Sequence, residues 1–151
     1  MPKSYSESEK QAIRESLLFH GAQCLSAYGV KRTTVDEIVK RAKIPKGTFY
    51  LFYESKEVLL FQALLRWHDE IQKTVLHRVE ESGGKLDAGG LTEILMDICA
   101  QVDKTGLMQM FSTGELEALA RKLPPQMVAE HLSQDEDMVA QLAKFIPSAK
   151  G

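Results

Sequence analysis

A single proline set between two short apolar-striped segments constrains this chain more than any other feature. Thr34 followed by Glu37 has the spacing of a helix-opening capping pair, and Val35, Ile38, Val39 and Ala42 give the next residues one apolar side. Pro45 cannot donate a backbone hydrogen bond and biases Ile44 away from helical angles, yet it suits the opening of a new helix. A break of about three residues, Lys43 to Pro45, therefore separates a second helix from a third covering roughly Lys46 to Phe52. Two short helices joined so tightly must cross at a large angle, which is a helix-turn-helix arrangement with the second member offered to solvent. Glycine is the easier residue where such a turn needs positive φ, and this chain has Lys43 there.

The flanking segments are helical as well. Ser6 and Glu9 have capping-box spacing, and Ile13, Leu17, Cys24, Leu25 and Tyr28 recur at helical intervals, so a first helix runs from about Glu7 to Tyr28 and stops at Gly29. Ser55 reads as the N-cap of a long fourth helix carrying Leu60, Leu64, Trp67, Ile71 and Val75 as far as Gly83-Gly84. Beyond it, Leu91, Leu95, Ile98 and Val102 form a stripe. Ser112 with Glu115 reads as a cap for a segment ending at Pro124-Pro125, and Met127, Val128, Leu132, Met138, Val139, Leu142 and Phe145 continue to Pro147, with Ser133 and Glu136 marking a further split. No stretch alternates as a strand does, so the fold class is all-α.

The aromatic cluster around residue 50 sorts by helical face. Phe49, Phe52 and Tyr53 stand at i, i+3 and i+4 and share an inward face, whereas Lys46 and Tyr50 share another. Lys46, Thr48 and Tyr50 are read as the outward set. Lysine offers a charge for phosphate or a donor for guanine, threonine a hydroxyl and a methyl, tyrosine a ring for a thymine methyl. Gly47 removes bulk where a duplex backbone would come close.

Charge placement supports a local role in nucleic-acid binding. The net charge is −2, against a protein that coats nucleic acid indiscriminately. Yet Lys31 to Lys56 holds seven basic and three acidic residues, so +4 sits there and −6 elsewhere. With 44% hydrophobic and 26% charged residues, a polar start and no apolar run near the ~18 residues of a membrane span, the chain is expected to be cytoplasmic. Cys24 and Cys99 match no metal-ligand spacing and read as reduced thiols, a thiol sensor being the variant reading. His20, His68, His77 and His131 show no HExxH-type spacing, so no metal set is expected, and nothing calls for a cofactor. The absence of a Gly-x-Ser-x-Gly elbow, a phosphate-cradling glycine loop or paired carboxylates argues against an enzyme. The rival reading is a helical interaction module whose basic segment meets an acidic protein.

The stretch "TTVDEIVKRAKIPKGTFYLFYESKEVLL" resembles the DNA-binding signature of the TetR family of bacterial transcriptional repressors, densely from Gly29 to about Leu60. The resemblance implies a helix-turn-helix DNA-binding domain over residues 1–54 and a helical effector-binding and dimerisation domain over 55–151. It implies that Thr33, Thr34 and Lys56 touch phosphates, that Lys46, Thr48 and Tyr50 enter the major groove with Gly47 beside them, and that Leu51 and Phe52 brush the backbone. Phe49 and Tyr53 would be core. The chain departs from the commonest pattern at Lys43, Pro45 and Leu51-Phe52.

The family's members bind pseudo-palindromic operators as homodimers and release them when a small effector binds. Trp67, Ile71, Met96, Cys99, Met108, Met110 and Phe111 are the apolar candidates for a hydrophobic effector site. "RKLPPQMVAEHL" resembles the regulatory domain of one subgroup. Two further helices would complete the dimer's four-helix interface, so the chain is expected to be incomplete at its C-terminus.

Overall fold

The computed structural model describes residues 4–143. They form eight helices and, among the described residues, no strand: α1 Glu7–Arg32, α2 Val35–Ala42, α3 Lys46–Phe52, α4 Lys56–Glu81, α5 Ala88–Thr105, α6 Leu107–Ser112, α7 Glu115–Arg121 and α8 Pro125–Ala143. Helices α1, α2 and α4 each start where a side chain takes up an orphaned backbone N–H, while Pro45 opens α3 without one. Ser6 and Glu9 form a reciprocal capping box at 3.2 and 2.8 Å, Thr34 accepts from the Glu37 amide, and Ser55 accepts from the Val58 amide.

Helix α1 is broken at Gly29, whose φ of 79° and ψ of −173° belong to a region essentially reserved for glycine. The regular helix thus ends at Tyr28, and a short turn carries the chain on to Thr33. At the turn between α2 and α3, Lys43 itself takes the left-handed conformation at φ 56° and ψ 43°, and its N–H and that of Ile44 close back onto the carbonyls of Lys40 and Val39. The lysine therefore does what a glycine would do more cheaply.

Helices α1, α2 and α3 pack around Leu17, Leu25, Ile38 and Phe49, all fully buried, and α4 lies along α1 through Leu59 and Leu60. The close α1–α4 approach needs Gly21, where a Cβ would stand 2.9 Å from a methyl of Leu59. The core runs on without interruption into the C-terminal half through Met110, Leu119 and Leu123.

The later helices depart from the sequence reading in three places. In α5 the buried residue is Ile94, while Leu91 and Leu95 are exposed, because the helix touches the body along one narrow line. Ser112 does not cap: it lies inside α6 and donates to the Gln109 carbonyl, and Gly114 precedes α7. Ser133 and Glu136 do not divide α8. Phe145 and Pro147, and the side chains of Met138 and Leu142, lie outside what is described.

Candidate functional site: a nucleic-acid interface and an apolar pocket

Helix α3 is held by rings on one side. Phe49 is fully buried, Tyr53 is 4% exposed with its ring centroid 5.8 Å from that of Phe49, and the Tyr53 hydroxyl reaches the Arg14 carbonyl at 3.5 Å. Burial raises the Tyr53 phenol above its ordinary pKa, so it stays a neutral donor. Phe52 is half-buried between the ring of Tyr5 and the guanidinium of Arg14, 5.3 Å from its centroid.

The opposite side faces solvent with Lys46, Gly47, Tyr50 and Leu51, the last two 52% and 72% exposed. Nothing lies within 4 Å of a Cβ built on Gly47, so α3 presents open backbone there. The Lys46 ammonium is 2.8 Å from Asp36 of α2, and that hydrogen bond raises its pKa. A second basic group on α2, Arg41, donates to Glu37 at 2.9 Å and to the Tyr28 hydroxyl at 2.9 Å, tying α2 to α1.

Between α1 and α2 the chain is gripped from two later helices. The Lys56 ammonium, at the start of α4, donates to the carbonyls of Val30, Lys31 and Thr33 at 3.1, 3.5 and 2.7 Å, which matches its three protons to three acceptors. From α7, the Glu115 carboxylate accepts the Lys31 N–H at 3.0 Å and the Thr113 hydroxyl at 3.0 Å. Thr33 is 1% exposed, and its hydroxyl donates to the Gly29 carbonyl at 2.6 Å.

A pocket of about 260 Å³ opens between α4, the end of α5, α6, α7 and α8. Its walls are almost wholly apolar, formed by Phe61, Leu64, Trp67, Ile71, Val102, Leu107, Phe111 and Leu116 among others, with Thr105, His68 and His131 as polar groups. Of the residues expected at an effector site, Trp67, Ile71 and Phe111 meet here. Met96, Cys99, Met108 and Met110 do not line it: Met96, Cys99 and Met108 are exposed, and Met110 is buried in the core. The sequence reading missed Phe61, Leu107 and Leu116, which reach the pocket from three different helices, a convergence no periodicity reveals.

Residues 17–63, from mid-α1 to the first turns of α4, match the family described as "Bacterial regulatory proteins, tetR family". Over those residues the chain carries a helix-turn-helix segment of the tetR family. It is 31% identical over 70 residues to the HTH-type transcriptional repressor DhaR of Mycobacterium sp. (strain GP1), a match covering 46% of this chain and 35% of that protein. The uncharacterized HTH-type transcriptional regulators YuxN and YdgC of Bacillus subtilis (strain 168) are 38% identical over 65 residues and 31% over 70, covering 42% and 46% of this chain. Those matches span 22% and 36% of the two proteins, so the alignments take in between about a fifth and a third of the relatives' lengths.

In this TetR-type head three of the expected contact residues are buried or already engaged by the protein itself. Thr48 is only 9% exposed, because residues two apart on a helix lie ~200° apart and Thr48 therefore sits on the opposite flank from Lys46 and Tyr50. Thr33 is buried and serves the turn. Lys56 has its protons committed to carbonyls. Thr34, Lys46, Gly47, Tyr50 and Leu51 remain exposed, and Phe52 is half in and half out.

Proposed function

We propose that this chain is a cytoplasmic DNA-binding transcriptional regulator that acts as a repressor. Two copies would place their α3 helices in successive major grooves of a pseudo-palindromic operator, and a small hydrophobic effector would release them. The observation that carries the reading is the projecting, ring-anchored α3, which offers Lys46, Gly47, Tyr50 and Leu51 to solvent inside the segment matched to the tetR family. DhaR, one of its relatives, is described as a transcriptional repressor. Lys46 would exchange Asp36 for a phosphate or a base edge, Tyr50 would meet a base, and Thr34 would reach a phosphate at the N-terminus of α2. Residues 1–54 act as the reading head and 55–151 as the regulatory part.

The grip on residues 29–33 supplies a route from effector to head. Leu116 lines the pocket, and its neighbour Glu115 holds the Lys31 amide. A ligand that shifts the start of α7 would disturb that grip. Two heads fit a duplex only when their recognition helices are ~34–36 Å apart, so a small displacement loses both half-sites together.

Selection of bound fragments from the host genome, followed by binding assays on the enriched sequence, tests the reading. The expected result is a palindromic site whose binding by Tyr50→Ala is weaker by ~1–3 kcal/mol, with relaxed base preference. Enrichment of no sequence, or equal loss by Tyr50→Ala on the selected site and on random DNA, refutes it.

A further inference from the structure

His68 on α4 and His131 and Asp135 on α8 come together at the polar end of the apolar pocket, each half-buried. One ligating atom from each lies within 4.8 Å of the others. His68 Nε2 is 3.0 Å from Asp135 Oδ1, and His131 Nε2 is 3.4 Å from Asp135 Oδ2. The two imidazoles stand edge to face with centroids 4.9 Å apart, and Phe61 holds His131 edge-on at 5.8 Å. Metal bonds to imidazole and carboxylate of ~2.0–2.2 Å place neighbouring ligand atoms roughly 3–3.5 Å apart, the spacing found for both histidine–aspartate pairs.

The hydrogen bonding points the same way. The Gln72 amide lies 3.3 Å from His68 Nε2, and in the tautomer with its proton on Nδ1 that nitrogen carries a lone pair that a metal can take. Asp135 Oδ1, also a lone-pair atom, faces it at 3.0 Å, is buried, and has no hydrogen-bond partner. In that tautomer the two acceptors face each other, and a cation between them satisfies both. Two imidazoles and one carboxylate suit Zn²⁺ and its first-row neighbours rather than Ca²⁺ or Mg²⁺, which take all-oxygen sets.

We propose that His68, His131 and Asp135 form a binding site for a divalent first-row transition metal, typified by Zn²⁺. Three protein ligands leave a coordination position unfilled, and because both histidines line the pocket that position faces the apolar cavity. A molecule with a metal-binding head and a hydrophobic body is then the class of ligand that fits both parts. The site rests on these three side chains alone and is independent of any role in reading DNA.

The test is titration of chelator-treated protein with Co²⁺, followed by visible ligand-field absorption, with Zn²⁺ as competitor. Stoichiometric binding displaced by Zn²⁺ is expected. Binding should weaken at least tenfold in His68→Ala and in Asp135→Asn, each confirmed as folded by far-UV circular dichroism. His77→Ala serves as control, since His77 and Glu81 are an exposed i,i+4 pair with two ligands only, and it should bind as the parent does. No absorption in the parent protein overturns the proposal without recourse to any variant. So does undiminished binding by the two folded ligand variants, or loss of binding in His77→Ala.

Discussion

Replacing Gly29 by alanine probes the joint between head and body. The φ of 79° and ψ of −173° place a side chain in a conformation costing about 1–3 kcal/mol. The new Cβ would also stand 2.9 and 3.0 Å from the two Glu115 carboxylate oxygens. The carboxylate can swing aside, but it then abandons the Lys31 amide, a hydrogen bond worth about 1–2 kcal/mol at this exposed site. Gly29→Ala should therefore destabilise by about 2–5 kcal/mol, and Glu115→Ala alone by about 1–2 kcal/mol because water can reach the exposed amide. In the double variant the collision is gone and only the backbone strain and the lost hydrogen bond remain, so its cost should fall short of the sum by about 1 kcal/mol or more. Urea denaturation of all four proteins measures this. Additivity within ~0.5 kcal/mol would refute the claim that residues 29 and 115 meet.

Four further outcomes are expected. Lys43→Gly should stabilise by about 0.5–1 kcal/mol in the same urea assay, since a left-handed lysine becomes a residue at ease there; destabilisation would mean that the turn is not left-handed. A thiol reagent should label Cys99, which is exposed, rapidly in the folded protein, and Cys24, whose thiol burial pushes above its usual pKa, only after unfolding. Arg66 grips Glu15 with two hydrogen bonds of 2.7 and 2.5 Å and holds its carboxyl below the ordinary carboxylate pKa, so the α1–α4 pair contributes fully above that ordinary value and its contribution is lost as pH falls through the lowered one. Glu15→Gln should remove that part of the acid sensitivity, by no more than ~1 kcal/mol at this half-exposed site. Lys56→Met should lower the melting temperature by several degrees through loss of three carbonyl contacts, yet leave the salt dependence of DNA binding unchanged; a slope reduced by ~0.9 would show instead that the ammonium neutralises a phosphate.

What the sequence disclosed is local chemistry. Ser6, Thr34, Pro45 and Ser55 each settle a helix start within their own turn of backbone, and the starts of α1 to α4 were legible from them. Glu115 shows where such reasoning stops. Its spacing from Ser112 suggests a cap, but its carboxylate goes to an amide 84 residues away, a choice made by tertiary packing. Leu91 and Leu95 look no different in sequence from Ile94, and only the narrow contact of α5 decides which is buried. Thr48 was decipherable, since a two-residue step cannot stay on one helical face. The His68–His131–Asp135 cluster was not: His131 and Asp135 are four residues apart on α8, but His68 comes from a helix more than sixty residues earlier.

Connecting segments are usually where homologous proteins vary in length, because little depends on them. The stretch from Gly29 to Thr34 has no such slack. Gly29 supplies a backbone shape, Val30 fills the core, the Lys31 amide is held from α7, Thr33 is buried beneath a lysine from α4, and Thr34 begins α2. Inserting or deleting one residue there would put every later anchor out of step with its mate, so this short bridge should tolerate changes of length far less readily than the exposed Gly83-Gly84 corner after α4.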